Sequence, residues 1–263
     1  MFYTLRVRAR NNSFLKRAVR KTKKIIGVKD ASSDFFDNAA LVKKYTPGKS
    51  FADIGCMWGV DGFFSFLAEE NGAAKVMSVD IYPESAKFSE EKERRNSKIQ
   101  FVQGDINLPD VTDTIGICDV VFCSGVLYHT PDPVHMLTRL RVICGETLIL
   151  NTASIPEMPG IRNAAVFYPF LNAKQRKIWN RHIGSQKGIT GPYEPESGYG
   201  NWMWGMTPSA IESMLQCAGF KVQERYISPF RSVFVCKTIP IQFVAESGEW
   251  TTPKSGDSLK FRK

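Results

Sequence analysis

Hydrophobic and polar positions follow two different rhythms along this chain. Near its start, Phe14, Leu15, Ala18, Val19, Thr22, Ile25 and Ile26 recur at the spacing of a helix with one apolar stripe. Lys16, Arg17, Arg20, Lys21, Lys23 and Lys24 fill the other side of that helix. From residue 50 the rhythm changes. Short apolar runs at 51–54, 75–80, 99–103, 119–124 and 147–151 predict strands, and the stretches 60–71, 84–95 and 133–143 between them predict helices.

Strands that alternate with helices imply a mostly parallel sheet with helices on both faces. Two further apolar runs, 221–227 and 232–237, are joined only by Ser-Pro-Phe-Arg. That link is too short for a crossover, so these runs form an antiparallel hairpin at the end of the sheet. The expected fold class is α/β, with a seven-stranded, mostly parallel sheet closed by a C-terminal antiparallel hairpin. Local signals agree with this reading. Asp132 before Pro133 offers a capping carboxylate and a ring suited to a first helical turn, and Thr207-Pro208 repeats the device. Gly219 then ends the helix written SAIESMLQCAGF.

The chain thus divides into a basic helical appendage (1–48), an α/β domain (49–238) and a polar tail (239–263). Within the domain, residues 153–206 break the alternation. They are rich in Pro and Gly and carry Phe167, Tyr168, Phe170, Trp179, Tyr193, Tyr199, Trp202 and Trp204. This insertion follows the fifth strand, which places it at the carboxyl edge where open α/β sheets bind ligands. It is expected to act as a lid or substrate wall, with Tyr168, Trp202 and Trp204 as candidate substrate contacts. The same aromatics would equally suit a satellite core.

The net charge of +9 suggests a nucleic-acid partner until it is located. Residues 1–29 hold ten Lys or Arg and no acid, leaving 25 bases against 26 acids in the remainder. The body is therefore close to neutral. A basic helix with an apolar stripe suits an anionic membrane surface, an RNA backbone, or packing against its own core or a second copy in a homodimer. No apolar window is long enough to span a membrane, and no secretory signal is visible. The six cysteines (Cys56, Cys118, Cys123, Cys144, Cys217, Cys236) are scattered without metal-ligand spacing, so they read as buried thiols. The expected location is cytoplasmic, with peripheral membrane contact through the helix, and no metal is expected.

The chemistry concentrates in residues 49–65, KSFADIGCMWGVDGFFS, an apolar strand breaking into a turn with Gly55, Gly59 and Gly62. Glycines let bare backbone approach a ligand, and the helix beyond begins with unpaired N–H groups. Asp80, at the end of the next strand, is placed to accept hydrogen bonds from a ribose. Together these point to a nucleotide-like cofactor. A nicotinamide frame, G-x-G-x-x-G, would need its first glycine where Met57 stands, so that reading is the weaker.

The segments DIGCMWG, VMSVDIYPES, VQGDINLPD and VVFCSGVLYHTPDPVHML, in this order, resemble the class I S-adenosylmethionine-dependent methyltransferases. The likeness covers residues from about 51 to 237. Its LYHTPDP and WGMTPSAIESMLQCAGF segments are most similar to the branch holding the tRNA wobble-uridine carboxymethyltransferases and many small-molecule methyltransferases. The resemblance implies a Rossmann-like fold and S-adenosyl-L-methionine as cofactor. It implies that Asp53 and the backbone of Gly55 and Gly59 hold the methionine end, and that Met57 and Ser124 also lie against the cofactor. Asp80 would bind the ribose hydroxyls, Asp105 the adenine amino group, and Ile81 and Ile106 would sandwich the ring. Met57 departs from the family's usual glycine, and a side chain there would crowd the cofactor or resist a left-handed backbone.

A methyl group on a sulfonium is already activated, so the protein has mainly to align a nucleophile and relieve it of a proton. His129 in GVLYHTPDP is the candidate base, with Tyr128 beside it, although a histidine there would equally suit holding its loop. Asn151, ending the fifth strand, is a candidate for orienting substrate. The expected activity is O-methylation of a small molecule, sugar or lipid-linked substrate. The alternatives are an RNA-modifying methyl- or carboxymethyltransferase, and a cofactor-fold protein without catalysis.

Overall fold

The computed structural model describes residues 37–177, 191–228, 230–240, 244–245 and 248–249, so the basic stripe at 14–26, Trp179 and His182 lie outside the described residues. The first described helix, α1 (Asn38–Tyr45), belongs with the body and not with the appendage expected over 1–48. Tyr45 and Lys44 both donate to Glu224, at 2.6 Å each, and Asn71 Nδ2 donates to the Lys43 carbonyl at 2.7 Å. These bonds pin the helix to elements far away in sequence, which the charge pattern does not reveal.

The expected alternation follows: β1 (Ser50–Ile54), α2 (Phe63–Glu70), β2 (Lys75–Asp80), α3 (Ala86–Arg94), β3 (Gln100–Gln103), α4 (Pro109–Ile115), β4 (Cys118–Ser124), α5 (Pro133–Ile143) and β5 (Cys144–Ala153). After the insertion come α6 (Pro208–Cys217) and the antiparallel strands β8 (Phe220–Ser228) and β9 (Arg231–Thr238). The insertion itself pairs two short strands, β6 (Ala165–Phe167) and β7 (Trp204–Met206). The seven-stranded sheet runs β3-β2-β1-β4-β5-β9-β8, parallel as far as β5. Its fold class is the one expected. In the tail, Val244–Ala245 pairs antiparallel with Gly248–Glu249.

Strand alternation splits the core between the two faces of the sheet. Ala52 and Ile54 of β1, with Val121 and Cys123 of β4, pack into the cluster that holds Met136, Leu137, Leu140 and Ile211 of α5 and α6. Phe51 and Phe122 point the other way, where Phe64 of α2 meets Phe122 with ring centroids 4.8 Å apart. The caps form as expected. Asp132 accepts from the His135 N–H at 3.0 Å, Thr207 accepts from the Ala210 N–H at 3.3 Å, and Gly219 takes φ +86° just past α6. Helix α4 has no counterpart in the apolar pattern; Pro109 at its start and a buried Val111, Thr112 and Ile115 make it.

Five of the cysteines are buried and Cys217 is exposed. Among the described residues no helix is long and apolar enough to cross a membrane, and no cluster of potential metal ligands occurs.

Candidate functional site

Four strand ends meet at the carboxyl edge. Residues 55–62 form a longer turn than the sequence suggests, because α2 begins only at Phe63, after Gly59 (φ +75°), Asp61 (φ +46°) and Gly62 (φ +72°). Gly55 is needed for close approach. A Cβ there would lie 2.4 Å from Val126 Cγ2 and 3.1 Å from the Ser124 carbonyl. The Gly55 N–H is already given to the Val79 carbonyl at 2.9 Å, so its carbonyl is the group left for a ligand. By contrast, the N–H groups of Trp58 and Gly59 find no acceptor among the described residues, and both residues are exposed. Nothing lies within 4 Å of where a Gly59 Cβ would stand. The turn therefore presents two free donors beside open space.

Met57 does not take a left-handed backbone, so the backbone strain expected of it does not arise, and its side chain is buried. Its N–H donates to Asp80 Oδ2 at 2.7 Å, and the Tyr82 N–H donates to Asp80 Oδ1 at 2.9 Å. Asp80 thus ties the turn to the end of β2. An ionised carboxylate offers about four lone-pair positions, which leaves two for vicinal hydroxyls.

Asp53 is turned inward and 1% exposed. It accepts from Ser65 Oγ at 2.7 Å, and Ser65 accepts in turn from Ser78 Oγ at 2.7 Å. Burial, together with the negative charge of Asp80, pushes its pKa up to about 7. It ties the end of β1 to Ser65 of α2. Ile106 is buried in the core while Ile81 is exposed, so the two would meet a ring very differently. Asp105 accepts from the backbone and side-chain nitrogens of Asn107 at 2.9 and 2.8 Å through Oδ1, and from Tyr199 Oη at 2.5 Å through Oδ2.

The loop after β4 carries the reactive candidates. His129 Nδ1 lies 2.8 Å from the Asn201 carbonyl. A carbonyl only accepts, so Nδ1 carries the proton and Nε2 keeps its lone pair. Burial lowers the imidazole pKa below its usual value, against the opposing effect of that bond, and favours the neutral ring. Tyr128 packs against both His129 and Trp202 in tilted contacts, each ring centroid 4.2 Å away, and its hydroxyl pKa is raised by burial.

Ser124 accepts from Asn151 Nδ2 at 2.7 Å, and Asn151 Oδ1 accepts from Arg231 Nε at 2.6 Å. Arg231 was missed by reading the chain, although it stands in the quoted Ser-Pro-Phe-Arg link. Burial lowers its pKa, Tyr128 is the ionisable group it feels, and it makes no ion pair among the described residues.

The insertion closes over this loop. Met203 and Trp204 donate their N–H groups to the Tyr128 carbonyl at 2.9 and 3.2 Å, and Trp204 Nε1 donates to the Pro131 carbonyl at 2.9 Å. Trp202 and Trp204 are thereby brought to the site, but Tyr168 is buried in a satellite core with Ile155 and Trp202. A Cβ on Gly205 would lie 1.8 Å from the Tyr168 hydroxyl. The satellite-core reading thus holds for Tyr168, with Trp202 packed against it, while Trp204 lies against the loop after β4.

Residues 52–144 match the family described as Methyltransferase domain. The chain is 36% identical over 98 residues to a tRNA U34 carboxymethyltransferase of Campylobacter hominis, covering 36% of this chain and 32% of that protein. It is 28% identical over 134 residues to the protein of the same name from a Geobacter strain, covering 50% and 40%. The chain spans about a third to two fifths of the length of the curated relatives it matches. Among solved structures, the 1,6-didemethyltoxoflavin-N1-methyltransferase of Burkholderia thailandensis, with its namesake compound and S-adenosylhomocysteine bound, is similar at TM-score 0.53 and 15% identity over 86% of both chains. The N-terminal domain of EvdMO1 with SAH bound is similar at TM-score 0.51 and 17% identity, covering 79% of this chain and 82% of that one. These structural likenesses concern the fold.

Proposed function

The chain carries a domain of the class I S-adenosylmethionine-dependent methyltransferase superfamily, and on that premise we propose that it methylates a hydroxyl of a small-molecule, sugar or lipid-linked acceptor. The residues present suit S-adenosyl-L-methionine. Trp58 and Gly59 offer free N–H donors to a carboxylate, Asp80 keeps acceptor positions for two ribose hydroxyls, and Asp105 ends the neighbouring loop as an acceptor for an amino group. The cofactor supplies a methyl group already activated as a sulfonium substituent. What remains for the chain is to orient the acceptor and take its proton. The observation that carries this reading is the bond from His129 Nδ1 to the Asn201 carbonyl, which leaves Nε2 as a base beside Tyr128 and Trp202. Incubation with methyl-labelled cofactor and fractionated cell extract tests it: label should enter small metabolites or lipids, and label in RNA alone would overturn it.

A second reading has its own support. A carboxymethyl group carries a carboxylate wherever its donor holds it, and Arg231 is a half-buried guanidinium beside Tyr128 with no acidic partner among the described residues. The curated relatives named above are tRNA carboxymethyltransferases. Under this reading the basic stretch 1–29 grips RNA phosphates. Calorimetry with the cofactor and with a carboxylated form of it separates the two: preference for the carboxylated form, lost in Arg231→Gln, would favour carboxymethyl transfer.

A further inference from the structure

One short loop touches both ends of the site. Asn201, itself buried, donates through Nδ2 to the carbonyls of Glu194 and Gly198 at 2.6 and 3.0 Å, and accepts from the Glu194 N–H at 3.0 Å. Its side chain thus closes residues 194–201 into a ring of hydrogen bonds and fixes the direction of its own backbone carbonyl. That carbonyl holds His129 Nδ1. Two residues earlier, Tyr199 gives its hydroxyl proton to Asp105 and accepts from Asn107 Nδ2 at 3.3 Å. Only Gly200 separates Tyr199 from Asn201, and Gly198, just before Tyr199, takes φ 48° and ψ −122° with open space where a Cβ would be.

We propose that residues 194–201 are a strap in which Asn201 positions His129 and Tyr199 senses whether Asp105 holds a nucleobase. This rests on reading Asp105 as the acid that meets an adenine amino group. The carboxylate already accepts two hydrogen bonds at Oδ1 and a short one at Oδ2. Of the carboxylate's about four acceptor positions three are filled, and the last lies on Oδ2 beside the Tyr199 hydroxyl. An arriving amino group crowds that oxygen, and because Asn107 belongs to Asp105's own turn, Tyr199 is the donor whose bond weakens. Weakening of the Tyr199 bond loosens the strap at that point, and the single residue Gly200 between Tyr199 and Asn201 passes the change to the Asn201 carbonyl and so to the imidazole. Binding at Asp105 and the orientation of His129 are then coupled through one loop, and the coupling is reciprocal.

The test uses the full chain, S-adenosylhomocysteine as probe, and nitrogen-15 histidine NMR. In the wild type, His129 should be protonated at Nδ1 and its ring resonances should move as the probe saturates. Tyr199→Phe should bind the probe about three- to tenfold more tightly, the value of one lost competing hydrogen bond, and its His129 resonances should no longer respond. Because the coupling is reciprocal, Asn201→Ala should change probe affinity and at the same time leave His129 a mixture of both tautomers, and wild-type affinity with an unchanged tautomer in that variant would overturn the strap. If that variant does not fold, Tyr199→Phe, which keeps its ring, decides alone. Unchanged affinity with a retained His129 response in Tyr199→Phe overturns the strap and leaves the cofactor reading standing. Failure of the wild type to bind the probe overturns both.

Discussion

The imidazole Nδ1 of His129 sits 2.8 Å from the backbone carbonyl of Asn201, a residue 72 positions further along the chain. That single bond selects a tautomer. It commits Nδ1 to donation and leaves Nε2 as the nitrogen able to accept a proton, which is the requirement for a general base. It also ties the loop after β4 to the insertion, so the base is held by the segment that encloses it.

If His129 is the base, His129→Ala lowers kcat by about 10²- to 10⁴-fold while S-adenosylhomocysteine affinity stays the same. Burial lowers the imidazole pKa, so the wild-type rate is full at neutral pH and falls as pH drops through a value below 6.5. A pH–rate profile and calorimetry check both halves. Wild-type turnover in the variant would make His129 a loop-holding residue only.

Removing Asp80 should cost cofactor binding in two ways. Asp80→Ala loses the acceptor for the ribose and also releases the Met57 and Tyr82 N–H groups, which it holds at 2.7 and 2.9 Å. No binding should be seen by calorimetry. Asp80→Asn, which keeps one acceptor oxygen, should bind with intermediate affinity. Equal affinity in all three proteins would remove Asp80 from the site.

Asp53 predicts a pH dependence of stability with an unusual sign for a carboxylate. Its folded pKa is pushed up to about 7, above the ordinary value of 3.8, so the folded protein holds the proton more tightly than the unfolded chain. The associated stability is present at low pH and is lost as pH rises from about 4 to about 7. Asp53→Asn cannot ionise, and its urea midpoint should lose that slope. A persistent slope in the variant would place the titration elsewhere.

Gly55→Ala should destabilise the fold by about 2–4 kcal/mol, because φ is +84° and the new Cβ would meet Val126 Cγ2 at 2.4 Å. Pairing it with Val126→Ala relieves the collision but not the backbone strain. Denaturant unfolding of the double variant should therefore recover part of the loss, and full recovery would show that φ costs nothing.

Thiol labelling of the native protein should modify one cysteine quickly. Cys217 is exposed whereas the other five are buried. Burial moreover raises the Cys118 and Cys144 thiols to about 11 and about 12, which keeps them unreactive. Rapid labelling of a second thiol would mean that the core opens readily.

By itself, the order of apolar runs determined the sheet, because strand and helix periods are local and a parallel strand needs a crossover of helical length. The same locality made Asp80, the glycine turn and the caps at Asp132 and Thr207 legible, since each works on its immediate neighbours. Helix α4 escaped because its seven residues are too few to show a period. Tertiary structure alone decided the rest. It joined α1 to Glu224, buried Tyr168 in a satellite core, and brought Arg231 to Asn151 across 80 positions. It also set Tyr199 on Asp105 and Asn201 on His129. The physical reason is common to all of these. A hydrogen bond between distant residues leaves no periodic trace in the chain, and the Asn201 partner of His129 is a backbone carbonyl, a group that every residue carries.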